Sequence, residues 1–243
     1  MRDWICGFFM AWGMFLAIPC PRKIWSESAR QKMLVCMPLV GLLVGGVWAG
    51  AWLLLRGAPG PVRAAVCAAV PWLVTGFMHL DGYMDVCDAV LSRRDLATRQ
   101  RILKDSHCGA FAVICMVLLA MGQWSLFLAA EDVSWLALLL IPAATRACAG
   151  LAVLGLRPMG TSQYAAMGPA RGGYGAALWV LLALSVGLPL WLDGSFGPLA
   201  AAVGYGLAVW YGFRNLDGMS GDISGFALTL GELCGCGAAI LWR

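Results

Sequence analysis

Charge is what this chain has little of. Of 243 residues, 12% are Asp, Glu, Lys or Arg and 61% are hydrophobic, whereas soluble domains carry about 25% charged residues. That excludes a water-soluble globular domain and specifies a membrane protein. Strictly alternating polar and apolar runs are missing too. The apolar stretches are continuous, which excludes a transmembrane β-barrel and leaves helices to satisfy the backbone inside the bilayer. The ten cysteines mostly fall in or beside apolar runs, and Cys234-Gly-Cys236 has no second pair. A secretory disulfide framework and a zinc signature are therefore excluded, and the cysteines read as small apolar residues. A cleavable leader is a poor reading, because Asp3 dilutes the positive start and no small-residue cleavage site precedes Pro19 and Pro21. The net charge of +4 reflects loop asymmetry and points to no nucleic-acid partner.

The apolar runs predict an all-α, polytopic transmembrane bundle of seven or eight spans in one integral domain covering 1–243. Seven runs approach the roughly 20 residues a crossing needs: Met33–Leu55, Ala64–Leu80, Ala110–Ala130, Val133–Leu156, Ala176–Leu192, Gly197–Phe213 and Ile223–Trp242. Trp4–Ala17 is shorter and suits a tilted crossing or a re-entrant segment. Gly41 with Gly45, and Gly46 with Gly50, have the spacing that lets two helices approach closely. Trp25, Trp124, Trp135, Trp191 and Trp242 stand near span ends as interfacial anchors, leaving other tryptophans for the interior. Arg22, Lys23, Arg30 and Lys32 fill one loop, Arg93, Arg94, Arg99, Arg101 and Lys104 another, and Arg157, Arg171 and Arg214 the remaining loops on that side. The positive-inside rule places this set in the cytoplasm. Oligomeric state is left open, a homo-oligomer included.

Three acidic clusters fall at the ends of spans on that side. In His79-Leu80-Asp81-Gly82-Tyr83-Met84-Asp85-Val86-Cys87-Asp88, a helix would carry Asp81, Asp85 and Asp88 on one face at i, i+4 and i+7. Three like charges that close remain ionised only around a cation, and for hard oxygen ligands Mg²⁺ or Mn²⁺ fits best; otherwise one or more keep a proton. Lys104-Asp105-Ser106-His107-Cys108-Gly109-Ala110 leads into the third long run, so Asp105 or Ser106 is the expected N-cap and the helix start suits a phosphate. His107 is a candidate phosphate donor or proton carrier there. In Asp217-Gly218-Met219-Ser220-Gly221-Asp222-Ile223-Ser224-Gly225, a helix from Asp222 places Asp222, Gly225, Thr229 and Glu232 on one face. Glu232, roughly 15 Å along it, needs a partner inside the membrane, and Arg146 lies at matching depth. That pair is expected to be structural, with direct substrate contact by Arg146 as the alternative.

This combination suits metal-assisted phosphoryl transfer between activated alcohols at a membrane surface. Positive charges from Arg93 to Lys104 would draw an anionic substrate in. A CDP-alcohol phosphatidyltransferase would share the metal logic, but its Asp-x-x-Asp-Gly-x-x-Ala-Arg run is not here. A cation transporter would need acids along a path at depth, and all but Glu232 lie at span ends.

Taken together, the motifs are similar to those of the cobalamin synthase family, the adenosylcobinamide-GDP ribazoletransferases. The resemblance is carried by His79-Leu80-Asp81-Gly82 with Asp85 and Asp88, Lys104-Asp105-Ser106 with Gly109, Ser220-Gly221-Asp222 with Gly225 and Gly231-Glu232-Leu233, and by Ile18-Pro19-Cys20-Pro21-Arg22 and Met37-Pro38-Leu39-Val40-Gly41 near the start. Val86, Ala89 and His107 depart from the residues frequent in that family, and Asp217 adds a charge. The resemblance implies a Mg²⁺-dependent multi-pass enzyme of the prokaryotic cytoplasmic (inner) membrane. Its substrates would be adenosylcobinamide-GDP and α-ribazole or its 5'-phosphate, with GMP released. By position, Asp81, Asp85, Asp88 and Asp222 would hold metal and diphosphate, and Asp105 would complete the catalytic set. His79, Gly82, Ser106, His107, Gly109, Arg146, Ser220, Gly221 and Gly225 would surround the ligand.

Overall fold

A computed structural model of the chain describes residues 2–160, 162 and 172–242; Arg171, part of the sequence reading, lies outside the described residues. The described chain runs α1 (Arg2–Phe15), a short 3₁₀ turn (Glu27–Ala29), α2 (Arg30–Leu54), α3 (Gly60–Val74), α4 (Met78–Leu91), α5 (Leu96–Ile102), α6 (Ala110–Ala129), α7 (Trp135–Gly155), α8 (Tyr174–Asp193), α9 (Gly197–Leu216) and α10 (Gly221–Leu241). Apart from one isolated bridge between Pro158 and Met219, everything regular among the described residues is helical.

Five helices are long and apolar enough to cross a membrane: α2, α6, α7, α8 and α10. A sixth crossing arises if the bent pair α3 and α4 counts as one. The seven or eight spans read from the sequence are not reached by that criterion. At 14 residues α1 is short, and α9, with 20 residues, is diluted by Tyr205, Tyr211, Arg214 and Asn215. The run Ala64–Leu80 is not straight either. It bends by 91° between Val74 and Met78, where Gly76 and Phe77 take consecutive left-handed conformations (φ 61° and 63°). Glycine accepts that geometry readily and phenylalanine does not, so the surrounding packing holds the corner. Its consequence is functional, since it turns the acidic helix α4 across the head of α10.

The centre of the bundle consists of α2, α7 and α10, while α6 and α8 keep most of their surface outward. Helix α2 lies against α7 because two glycines leave room. A methyl on Gly41 would stand 2.5 Å from the Pro142 carbonyl oxygen, and one on Gly45 2.0 Å from that of Leu139. Gly46 and Gly50 make no such approach, so only the first of the two spaced pairs is an interface. Between α7 and α10, Arg146 Nη1 donates to Glu232 Oε1 at 2.7 Å and to the Pro142 carbonyl at 3.1 Å, both side chains being almost wholly enclosed. The expected pair therefore forms, and it ties the two most buried helices together.

Trp48 and Trp52 pack on Phe127 in one core, with the Trp48 indole N–H on the Cys67 carbonyl at 2.7 Å. Trp191 and Trp242 are exposed, as lipid-headgroup anchors should be. A second core gathers Tyr83, Leu216, Met219, Ile223 and Phe226 beneath the acidic clusters, with Tyr83 stacked on Phe226 at 5.7 Å. All ten cysteines are free thiols, as their scattered positions predict.

Candidate active site

Two glycines bring two of the three acidic clusters together. Helix α4 packs on the first turns of α10, and a Cβ on Gly82 would lie 2.9 Å from both Cα and carbonyl oxygen of Asp222. On Gly225 it would lie 3.0 Å from the His79 carbonyl oxygen. Backbone thus meets backbone, from a glycine on each side. The helices are also tied where Thr229 Oγ1 donates to the His79 carbonyl at 3.3 Å. Gly82→Ala is expected to separate α4 from α10 and to lower turnover by about 10²-fold, the size of effect a displacement near 1 Å has on a positioned reaction. The protein should still insert and fold, because the bulk of the bundle does not depend on that crossing. Turnover at the wild-type rate would dismiss the close approach as the device that builds the site.

At this crossing lies a cavity of about 370 Å³ lined by Asp81 and Asp222 together with His79, Gly82, Ser220, Gly221 and Gly225. Asp85, one turn along α4 from Asp81, is acted on by the charges of Asp81, Asp222 and Asp88. Ser220 shapes the α10 side. Its hydroxyl oxygen accepts from Ile223 N–H at 3.2 Å and caps the helix, which leaves Asp222 in the first turn, where the helix dipole favours an anion. The loop before it is also held. Met159 N–H donates to the Met219 carbonyl and Met219 N–H to the Arg157 carbonyl, each at 2.9 Å. Asp217, for which the sequence offered no role, pairs with Arg157 at 2.5 Å.

Asp88, the third carboxylate of the α4 face, is turned to another task. Its oxygens accept Gly109 N–H at 2.6 Å and Ala112 N–H at 3.0 Å, so it caps α6 from a neighbouring helix. Gly109 has no room for a side chain because that carboxylate sits where a Cβ would be, at 2.6 Å. The expectation that Asp105 or Ser106 caps α6 is thereby corrected: the orphan N–H groups are taken by a carboxylate 21 residues back in the chain.

Asp105 folds onto its own loop, accepting His107 N–H at 3.0 Å and facing His107 Nδ1 at 2.6 Å. The His107 contacts hold its carboxyl below the usual range. Asp105, Ser106 and His107 are exposed and none of them lines the cavity. Arg146 does not line it either, being occupied with Glu232. Ser106, His107, Gly109 and Arg146, expected around the ligand, and Asp105, expected to complete the catalytic set, thus stand outside the cavity lining.

Lys104 does line the cavity, and so do residues that the motif reading passed over. They come from the start of the chain: Met14, Phe15 and Trp25 before α2, and Arg30, Met33 and Met37 along its first turns. Met37 belongs to the Met-Pro-Leu-Val-Gly motif and Arg30 to the first basic loop, which were the available signals; Met14, Phe15, Trp25 and Met33 carry no polar signature.

Among the described residues, no group of three or more His, Cys, Asp or Glu side chains is gathered closely enough to enclose a metal ion. Hard carboxylate oxygens offered in ones and twos nevertheless fit Mg²⁺, which keeps several waters and combines one or two carboxylates with substrate phosphates. They do not fit a soft or caged metal.

A family model described as cobalamin-5-phosphate synthase matches residues 7–240. A relative from Clostridium botulinum (strain Alaska E43 / Type E3), named adenosylcobinamide-GDP ribazoletransferase, is 33% identical over 257 residues, covering 100% of both chains. One of the same name from Clostridium perfringens (strain 13 / Type A) is 33% identical over 237 residues, 93% of this chain and 94% of its own. Another, from Halalkalibacterium halodurans, is 39% identical over 155 residues, 60% and 58%. No solved structure matches the chain.

Proposed function

Because the chain belongs to the cobalamin-5-phosphate synthase family, we infer that the cavity at the α4 and α10 crossing is the active site of an adenosylcobinamide-GDP ribazoletransferase. The observation that carries the reading is the meeting of Asp81 and Asp222 in one cavity, from positions 141 residues apart in the sequence. The protein is a membrane-embedded transferase of cobalamin biosynthesis. A ribose hydroxyl of α-ribazole or its 5'-phosphate attacks the phosphorus that bears cobinamide, the bond to the GMP oxygen breaks, and the hydroxyl proton passes to a base. The products are cobalamin or its 5'-phosphate and GMP.

Each part of the site has a task in that exchange. Asp81 and Asp222 stand where a hydroxyl proton or a diphosphate-bound cation would be received, and Asp85 supports the same negative field. Asp81 and Asp222, together with the substrate diphosphate, would hold Mg²⁺, which when bound supplies positive charge against the leaving phosphate. The Ser220 cap holds Asp222 in register. Asp88 acts one step removed, by anchoring α6 beside α4. Lys104 supplies a cation at the rim for an arriving phosphate. Neither earlier alternative fits as well: family membership removes the CDP-alcohol reading, and the one acid at depth, Glu232, is committed to Arg146 rather than to a path.

The same reading puts the protein in the prokaryotic cytoplasmic membrane as one integral domain of seven or eight crossings, with the site facing the cytoplasm. Support comes from the basic loops around the cavity and from α9, which packs against α7 and α10 as an inner span would. The test is GMP release by purified protein in lipid from adenosylcobinamide-GDP with α-ribazole or its 5'-phosphate. Release is expected with Mg²⁺, and its loss in EDTA should be reversed by added Mg²⁺. Folded protein that releases no GMP with either nucleoside sinks the reading, and undiminished release in EDTA removes the metal from it.

A further inference from the structure

We propose that Arg30 is the residue that holds the phosphate of the departing GMP, so that the start of α2 stabilises the leaving group while α4 and α10 receive the attacking hydroxyl. The inference deepens the transferase reading above and rests on it.

The reaction sets what is required. Before transfer, each phosphate of adenosylcobinamide-GDP is singly charged. When the ribose hydroxyl displaces GMP, the electron pair of the breaking P–O bond stays on the bridging oxygen, and the GMP phosphate becomes doubly charged. The hydroxyl proton passes to the base, and the new phosphodiester remains singly charged. Charge therefore grows on the GMP side alone, and a donor fixed there acts where the transition state differs most from the ground state.

Among the described residues, Arg30 and Lys104 are the cations that line the cavity. Neighbouring basic side chains are engaged elsewhere: Lys32 with Asp3 at 2.6 Å, Arg99 with Asn215 at 3.0 Å, and Arg157 with Asp217. Arg30 is the first residue of α2, whose main packing is on α7 and α1. It thus reaches the cavity from an element other than the two that carry Asp81 and Asp222, and its ion pair is with neither of them.

That pair is with Glu27, whose Oε2 lies 3.2 Å from Arg30 Nη1. Glu27 also accepts the Trp25 indole N–H on Oε1 at 2.7 Å, and the guanidinium stands 5.7 Å over the Trp25 ring. The Glu27 side chain is 70% exposed, so water weakens its hold. Arg30 is therefore steered without being satisfied: its Nε is shielded from solvent and has no hydrogen-bond partner. A buried N–H without an acceptor is costly, and a phosphate oxygen is an acceptor that the substrate brings. The planar guanidinium also matches two phosphate oxygens at once, which an ammonium does not. A charge that only sets membrane orientation could be any basic residue, and it would call for neither the Trp25 ring nor a place in the cavity.

The experiment uses full-length protein in lipid with Mg²⁺, adenosylcobinamide-GDP and α-ribazole 5'-phosphate, and follows formation of cobalamin 5'-phosphate with GMP or guanosine added as inhibitor. Arg30→Met keeps the stem and removes the fork. It should slow turnover by about 10²–10³-fold and weaken inhibition by GMP about tenfold or more. Any inhibition by guanosine, which lacks the phosphate, and KM for the riboside should stay at the wild-type values. Arg30→Lys restores the charge without the fork and should fall between the two; it supplies the same comparison if Arg30→Met fails to fold. Lys23→Gln, in the same basic loop but outside the cavity lining, should turn over like the wild type. Full turnover in Arg30→Met, slowed turnover with GMP inhibition intact, equal weakening of GMP and guanosine, or an equal loss in Lys23→Gln overturns the proposal. Folded wild-type protein that forms no product removes the transferase reading and this one with it, whereas an active wild type beside an unaffected Arg30→Met removes this one alone.

Discussion

Asp81→Asn and Asp222→Asn are each expected to reduce GMP release by about 10³-fold or more, corresponding to several kcal/mol of lost charge stabilisation at about 1.4 kcal/mol per tenfold. Asparagine keeps the shape and the hydrogen-bonding oxygen while removing the charge, so bundle and cavity should persist, and the thermal transition in detergent should match the wild type. Asp88→Asn makes the informative contrast. Its carboxylate already accepts two N–H groups of α6, and the amide retains one acceptor. A cap is worth about 1 kcal/mol, so this variant should lose stability at the α6 start and keep substantially more turnover than the other two. Equal losses in all three, with unchanged melting, would place Asp88 beside the reacting phosphate and contradict its assignment as an anchor. Full activity in Asp81→Asn or Asp222→Asn would dismiss the cavity as the site of chemistry.

The second large effect concerns folding. Glu232→Ala leaves the Arg146 guanidinium enclosed without its carboxylate, and Arg146 Nε and Nη2 already lack hydrogen-bond partners. Breaking a buried pair from one side costs about 3–5 kcal/mol. Either single substitution, Glu232→Ala or Arg146→Ala, is therefore expected to yield protein that aggregates or melts far below the wild type. Removing both charges together with apolar replacements, Arg146→Met with Glu232→Leu, should recover most of the loss, because the cost lies in the unpaired charge rather than in the missing pair. The check is monodispersity and melting in detergent, followed by GMP release. Should the double replacement fold and yet be inactive, Arg146 or Glu232 would have a part in catalysis beyond holding α7 to α10.

Some of this arrangement is legible one helix at a time. The α-helical period places Asp81, Asp85 and Asp88 on one face, and membrane depth matches Arg146 to Glu232 across 86 residues, because a bilayer leaves a buried charge few places to find its counter-charge. Elsewhere legibility fails for a physical reason. N-caps are sought just ahead of a helix, so Asp105 and Ser106 look like the cap of α6, while the actual acceptor comes from another helix. An apolar run reads as a straight span even where two left-handed residues break it, because hydropathy does not register φ. Methionines in an apolar stretch look the same whether they fill a core or border a cavity.

The sequence by itself determined that the protein is helical and embedded in a membrane, to which family it belongs, and which carboxylates it has to offer. Those properties follow from composition, period and motif, each readable within a single segment. Tertiary structure decided which carboxylates meet. Gly82 and Gly225 let two backbones touch, the corner at Gly76 and Phe77 aims α4 at that contact, and the result joins Asp81 to Asp222 while it sends Asp88 to α6 and leaves Asp105 outside. Close packing between distant segments sets these choices, and it depends on shapes that no local pattern encodes.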